Sequence, residues 1–201
     1  MTMAVGNDVV DLADPDCQAR HQNPRFLDKI LAPMEKERVV TASNPHALLW
    51  LLWAAKEAAY KAVSQSRPCT GFVPPRFVVL DPGPGKGRVA TPFGTFPMHA
   101  ELTQDYAHAV VLASPGANPD AAGWRVKKIA ATATASSLAR DMAQRCVAQV
   151  LGLPAPGHVH IRRIPGARRL GPPQVFVNGR LSPLSLSLSH DGLFVACAWV
   201  G

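Results

Sequence analysis

No part of this sequence stays apolar for long. The longest unbroken run, Ala47 to Ala55, is nine residues, against the roughly 20 that a membrane-spanning helix needs. No interaction with a membrane is therefore expected. A signal peptide is missing as well: Met1-Thr2-Met3-Ala4-Val5 reaches Asp8 with neither a basic start nor an apolar core, which predicts a cytoplasmic protein. The four cysteines, Cys17, Cys69, Cys146 and Cys197, lie far apart, with no C-x-x-C pair and no histidine at zinc-ligand spacing. They read as reduced structural thiols. Aromatic residues are few, and those of the second half, Trp124, Phe176, Phe194 and Trp199, are scattered, unlike the interleaved basic and aromatic residues of a nucleic-acid surface. What remains is 201 residues, 47% of them hydrophobic, enough for one compact domain or two small ones and too apolar for a disordered chain.

Acidic residues run short only in the second half. Residues 119–201 hold 10 Lys/Arg and 3 Asp/Glu, whereas residues 1–118 hold 11 of each, so the +7 surplus lies downstream of residue 118. One half is neutral and the other attracts anions, whether nucleic acid, a phosphorylated small molecule or an acidic protein. The segment from Leu112 to Asp120, Leu-Ala-Ser-Pro-Gly-Ala-Asn-Pro-Asp, has the composition of a linker and divides the chain into 1–118 and 119–201.

Each part follows a similar plan. In the first, Ala4–Val10 reads as a strand and Arg25–Val40 as a helix. Asn44 caps a second helix, with Pro45 in its first turn, running from about His46 to Gln65. Strand-like runs follow at Arg76–Leu80, Arg88–Thr91, Met98–Leu102 and Tyr106–Ala113. The second has a helix over Ser137–Leu151, stopped by Gly152 and Pro154, then strands near His158–Ile164, Gln174–Asn178, Leu184–Ser189 and Leu193–Trp199. The hairpins that close the two halves align with Leu102 on Leu188, Gln104 on His190 and Asp105 on Asp191. The expected fold is α+β, two similar halves of helix plus antiparallel β-meander packed as a pseudo-dimer.

Chemistry-bearing residues concentrate on the His46 helix. Trp53, Glu57 and Lys61 stand at i, i+4 and i+8 with Lys56 and Tyr60 beside them, a spacing that places the five on one side. Either this side is solvated and Glu57 pairs with Lys61, or the apolar run before Lys56 buries the helix and Glu57 needs a cation. Asp8 sits in the valine-rich Val5-Gly6-Asn7-Asp8-Val9-Val10-Asp11, where strand propensity disfavours a carboxylate. Taken with Glu57 it makes an oxygen-only donor pair suited to Mg²⁺, and Lys61 completes a diphosphate clamp. Asp11 reads equally as a water-orienting or a solvated carboxylate.

Val5-Gly6-Asn7-Asp8, the stretch from Arg25 through Phe26 to Glu35, and Trp53-Ala54-Ala55-Lys56-Glu57-Ala58-Ala59-Tyr60-Lys61 resemble the 4′-phosphopantetheinyl transferases, in the order found in the holo-acyl-carrier-protein synthase branch. A third family element, a Ser-His pair, is matched by Ser189-His190. The resemblance implies transfer of phosphopantetheine from coenzyme A to a serine of an acyl or peptidyl carrier protein, with release of adenosine 3′,5′-bisphosphate. It implies Asp8 and Glu57 as Mg²⁺ ligands, Glu57, Lys61 and Asp8 as catalytic residues, and His190, Ser189, Lys61 and Lys56 as coenzyme A contacts. Arg168 and Arg169 stand in for the basic residue missing from Gly171-Pro172-Pro173. Arg25 and Phe26 correspond to the carrier-docking helix. His190 lies 133 residues beyond Glu57, farther than in the short branch, so the resemblance implies one composite site between two unequal halves, with Gln104 where the first half has lost its histidine, and a monomer. A catalytically silent coenzyme A- or carrier-binding relative and a basic nucleic-acid-binding module are the alternatives.

Overall fold

The computed structural model describes residues 3–67, 70–130, 134–165 and 170–201. Strand β1 (Val5–Asp11) opens the chain and is buried along its whole length. Two short helices follow, α1 (Pro24–Ile30) and α2 (Pro33–Thr41), where the sequence predicts one. The break falls at Leu31-Ala32 because a residue before proline disfavours the helical region, and Ala32 is extended at φ −71°, ψ 157°. Helix α3 (Pro45–Ser66) is capped by Asn44, whose side chain accepts from the Ala47 N–H at 3.1 Å, as the sequence predicts. Strands β2 (Val78–Val79), β3 (Gly85–Thr91), β4 (Gly94–Leu102) and β5 (Tyr106–Leu112) complete an antiparallel sheet of order β1-β5-β4-β3-β2.

The chain then forms β6 (Gly123–Lys128), α4 (Ala135–Val150), β7 (Val159–Pro165), β8 (Leu170–Val177), β9 (Arg180–Leu181), β10 (Ser185–Asp191) and β11 (Phe194–Val200). These give two three-stranded sheets, β10-β11-β6 and β7-β8-β9. The sequence reading did not find β6 or β9. In β6 the period-two signal is present, Trp-Arg-Val-Lys, but only alternate side chains are apolar and the strand lies at a sheet edge.

The packing is layered. Gly6, Asp8 and Val10 of β1 face α3, and α3 lies so close that a Cβ on Gly6 would stand 1.9 Å from the Ala58 carbonyl oxygen. Only glycine permits that approach. The opposite face of β1 meets the β10-β11-β6 sheet: Val5 packs with Ala198 and Val200, and Val9 with Phe194 and Ala196. That sheet's far side carries α4, with Ala143 and Val147 against Leu186 and Cys197.

β1 is an edge strand, and its outward N–H groups are satisfied by side chains of β10. Val5 donates to Ser185 Oγ at 3.0 Å, Asn7 to Ser187 Oγ at 2.9 Å and Asp11 to Asp191 Oδ2 at 2.9 Å. Gln65 of α3 closes the seam, donating to the carbonyls of Val5 at 2.6 Å and Leu186 at 3.1 Å. Buried donors are thereby paired without continuous backbone pairing between the sheets.

The units β1-β5-β4 and β6-β11-β10 share strand order and antiparallel sense. When the seven-residue strands β5 and β11 are laid end on end, Ala109 and Cys197 occupy the same place and pair with Asp8 and Arg125. Ala107 and Val195 likewise pair with Leu102 and His190. The counterpart of His190 is therefore Leu102, and the aligned position Gln104 is corrected: four residues separate Leu102 from Ala107 and His190 from Val195 alike, so the hairpins are equally long and the sequence alignment stands two residues out of register.

Candidate functional site

The site forms where α3 crosses β1. Asp8 is 9% exposed, and its Oδ1 accepts from Lys61 Nζ at 2.7 Å. The same ammonium donates to the Asn7 carbonyl at 3.2 Å. Glu57, one turn earlier on α3, does not pair with Lys61 as an i,i+4 ion pair would. Its carboxyl is pushed up from 4.5 to about 7, first by burial, then by the Asp8 charge, with Lys61 opposing both. Two carboxylates and an ammonium thus converge in a half-closed environment.

The helix does not present its five chemistry-bearing residues to one side. Lys56 is fully buried and donates to Glu35 Oε2 at 2.6 Å, to the Pro74 carbonyl at 3.1 Å and to the Phe77 carbonyl. Trp53 and Tyr60 pack on Phe72, with ring centroids 5.9 and 4.8 Å away. The expectation of Lys56 as a phosphate contact is corrected: its charge is spent on a buried carboxylate. Glu35, which accepts from the N–H groups of Ala32 and Val79 at 2.8 Å each, is a charged core residue whose partner the sequence reading missed.

Ser189 and His190 diverge, as adjacent strand residues must. Ser189 is buried at 5% exposure, facing β1, and its Oγ accepts from Asn7 Nδ2 at 3.2 Å. His190 is exposed on the opposite face, with Nε2 3.0 Å from Ser136 Oγ in the first turn of α4. The expectation that Ser189 joins His190 on one ligand phosphate is therefore corrected for this arrangement. Asp11 is not a solvated carboxylate. It is 4% exposed and accepts from the N–H of Ala13 at 2.9 Å and of Leu193 at 2.8 Å, which pins the β10–β11 turn. Gly192, at φ +46°, has no room for a Cβ, which would meet Asp11 Oδ2 at 2.3 Å.

Arg25 is exposed, while Phe26 lies 6.0 Å from Trp50 with Arg20 over its ring at 5.3 Å. Arg168, Arg169 and Cys69 fall outside the described residues. Cys17, Cys146 and Cys197 are buried free thiols. Among the described residues no helix is long and apolar enough to cross a membrane.

Among the described residues, no three His, Cys, Asp or Glu side chains gather to hold a metal. Asp8 and Glu57 are the donors available, both oxygen, and Glu57 is a half-buried carboxyl held above its ordinary range. That set fits a hard divalent cation such as Mg²⁺, which takes one or two protein carboxylates and fills its remaining positions with water or phosphate.

The α+β fold sets a carboxylate pair flanked by a lysine between helix and strand. The sequence matches the family described as the 4′-phosphopantetheinyl transferase superfamily over residues 4–111. The chain belongs to that superfamily. It is 36% identical over 72 residues to a holo-[acyl-carrier-protein] synthase of Hydrogenovibrio crunogenus, a match covering 36% of this chain. This chain spans about half of that relative, 53% of its length. An apo-ACPS structure from Chronobacterium ammoiniagenes is similar over 55% of this chain and 94% of its own, at 24% identity and a TM-score of 0.42.

Proposed function

We propose that this chain transfers the phosphopantetheine arm of coenzyme A to a serine of an acyl or peptidyl carrier protein and releases adenosine 3′,5′-bisphosphate. The observation that carries this reading is the half-buried Glu57 of α3 standing beside Asp8 and Lys61 where the helix crosses β1, in a chain of this superfamily. A carboxylate within the site suits removal of the serine proton. Glu57 takes the proton of the carrier serine as its Oγ bonds to the β-phosphorus. The bond from that phosphorus to the bridging oxygen breaks, and the electron pair leaves with adenosine 3′,5′-bisphosphate. Lys61 turns from Asp8 to a phosphate oxygen and offsets charge as it develops. Asp8 and Glu57 would hold Mg²⁺, which supplies charge screening at the diphosphate. His190, exposed beside Ser136, contributes a phosphate contact from the second half. Arg25 and Phe26 meet the carrier.

In this reading residues 1–118 supply the carboxylates and residues 119–201 the histidine, and the chain acts as a monomer with one site. Support comes from the strand correspondence: where the first unit has Asp8 the second has Arg125, and where the second has His190 the first has Leu102. Intact-mass analysis of a panel of apo carrier proteins, incubated with this protein, coenzyme A and Mg²⁺, tests the proposal. A gain of one phosphopantetheine on some carrier is expected. No gain across fatty-acid, polyketide and peptide carriers overturns it.

A further inference from the structure

Where β1 meets the β10-β11-β6 sheet, a polar thread of side chains runs among the apolar contacts, besides the bonds that Ser185, Ser187 and Asp191 make to the β1 backbone. It begins at Trp124 of β6, whose Nε1 donates to Glu101 Oε1 at 2.9 Å. Glu101 Oε2 lies 3.7 Å from Nδ1 of His108, a fully buried ring on β5. His108 Nε2 lies 3.4 Å from Asn7 Nδ2, and that amide also donates to Ser189 Oγ. Glu101 is held down to about 2, chiefly by His108, with the Trp124 indole adding to the effect. The thread starts and ends on the second half of the chain and passes through the first.

Asn7 is its central member, and it is 0% exposed. Its backbone N–H donates to Ser187, its carbonyl accepts from Lys61, and its side chain holds Ser189. The next residue along β1 is Asp8, and the next along β10 after Ser189 is His190. One buried residue therefore touches both strands that carry the proposed site. Its Oδ1 has no partner among the described residues. A buried polar side chain left partly unsatisfied costs stability relative to an apolar one of similar size, so the position is poorly explained by folding alone.

We propose that Asn7 is a positioning residue, which fixes the His190 strand against the Asp8–Lys61 pair through its amide bond to Ser189. This inference rests on the proposed transferase reading. A carboxylate pair and a phosphate contact supplied by different halves must be held in register, since a misplacement of about 1 Å can cost on the order of 100-fold in rate.

The test compares Asn7→Leu, Ser189→Ala and the double variant by carrier-labelling kinetics with Mg²⁺, with coenzyme A binding by calorimetry and thermal melting alongside. Expected are a folded Asn7→Leu protein, kcat lowered about tenfold or more with the carrier KM unchanged, and a double variant no slower than Asn7→Leu alone, because both remove one contact. Should Asn7→Leu not fold, Ser189→Ala, which deletes only the acceptor, is expected to show the same loss of kcat. Normal kcat in a folded Asn7→Leu, additive losses in the double variant, or a normal Ser189→Ala beside an unfolded Asn7→Leu overturns the inference. Wild-type protein that labels carriers while these variants do so equally well refutes the positioning role alone. Wild-type protein that neither binds coenzyme A nor labels a carrier refutes the transferase reading and this role with it.

Discussion

Glu57 is more readily charged once a cation or Lys61 answers it, and its environment makes that cost measurable. Its carboxyl titrates near 7 in the folded chain and near 4.5 when unfolded, so the folded state binds the proton more tightly. The resulting stabilisation is complete below about pH 4.5 and is lost as pH rises through about 7, on the order of 3 kcal/mol in all. Metal-free protein should therefore melt at a lower temperature at pH 8 than at pH 5, Mg²⁺ should restore part of the difference above pH 7, and Glu57→Gln should flatten the pH dependence. A melting-temperature series in buffers with and without Mg²⁺ reads all three. The same substitution should cut carrier labelling by about 100-fold or more, as loss of a general base or of an electrostatic stabiliser does. Asp8→Asn removes one of two candidate ligands and should raise the Mg²⁺ concentration that gives half-maximal labelling, seen in a metal titration. An unchanged midpoint and rate would place the metal elsewhere.

At the scale of elements, α3 shows where the sequence was legible and where it was not. Its bounds followed from Asn44, Pro45 and the apolar run, because capping and burial are local in origin. The direction of each polar side chain was not local. Trp53, Lys56 and Tyr60, spaced i, i+3 and i+7, turn toward Phe72, Phe77 and Glu35, whereas Glu57 and Lys61 turn toward β1, and helical spacing is compatible with either flank for Lys56. Asn7 and His108 were visible as polar residues in apolar strands, yet their pairing depends on the register Val9↔His108, which no local pattern states. In β10 serines alternate with leucines, a local pattern that does not state that the hydroxyl face caps the edge of β1. Lys56 yields the prediction proper to this scale. Lys56→Met leaves the Glu35 carboxylate buried without its cation, and removing one partner of such a pair costs about 3–5 kcal/mol. Adding Glu35→Gln should recover part of the loss. Urea unfolding midpoints of the single and double variants check this, and strict additivity would show that the two charges do not act as a pair.

For the whole molecule, the proposed function requires one site built from two halves. The layers α3, five-stranded sheet, three-stranded sheet and α4 place the carboxylates of one half and the histidine of the other on strands joined by side-chain bonds. The sequence order of helices and strands predicted a similar plan for the halves, and the strand order that β1-β5-β4 shares with β6-β11-β10 agrees with it. Their inequality was legible in the residues they lack, but its register, Asp8 against Arg125 and Leu102 against His190, required the sheets. Because the seam is internal, light scattering should report a monomer that is active at any dilution, whereas activity that falls with protein concentration would point to a site shared between chains. The most direct measurement is a calorimetric titration of coenzyme A into the wild-type protein with Mg²⁺, repeated for His190→Ala and Gln104→Ala. One coenzyme A per chain is predicted, with affinity lowered by about 1.5–3 kcal/mol in His190→Ala, the range for a hydrogen bond to a charged group, and unchanged in Gln104→Ala. Two molecules bound per chain, or an unchanged affinity in His190→Ala, would contradict a single composite site.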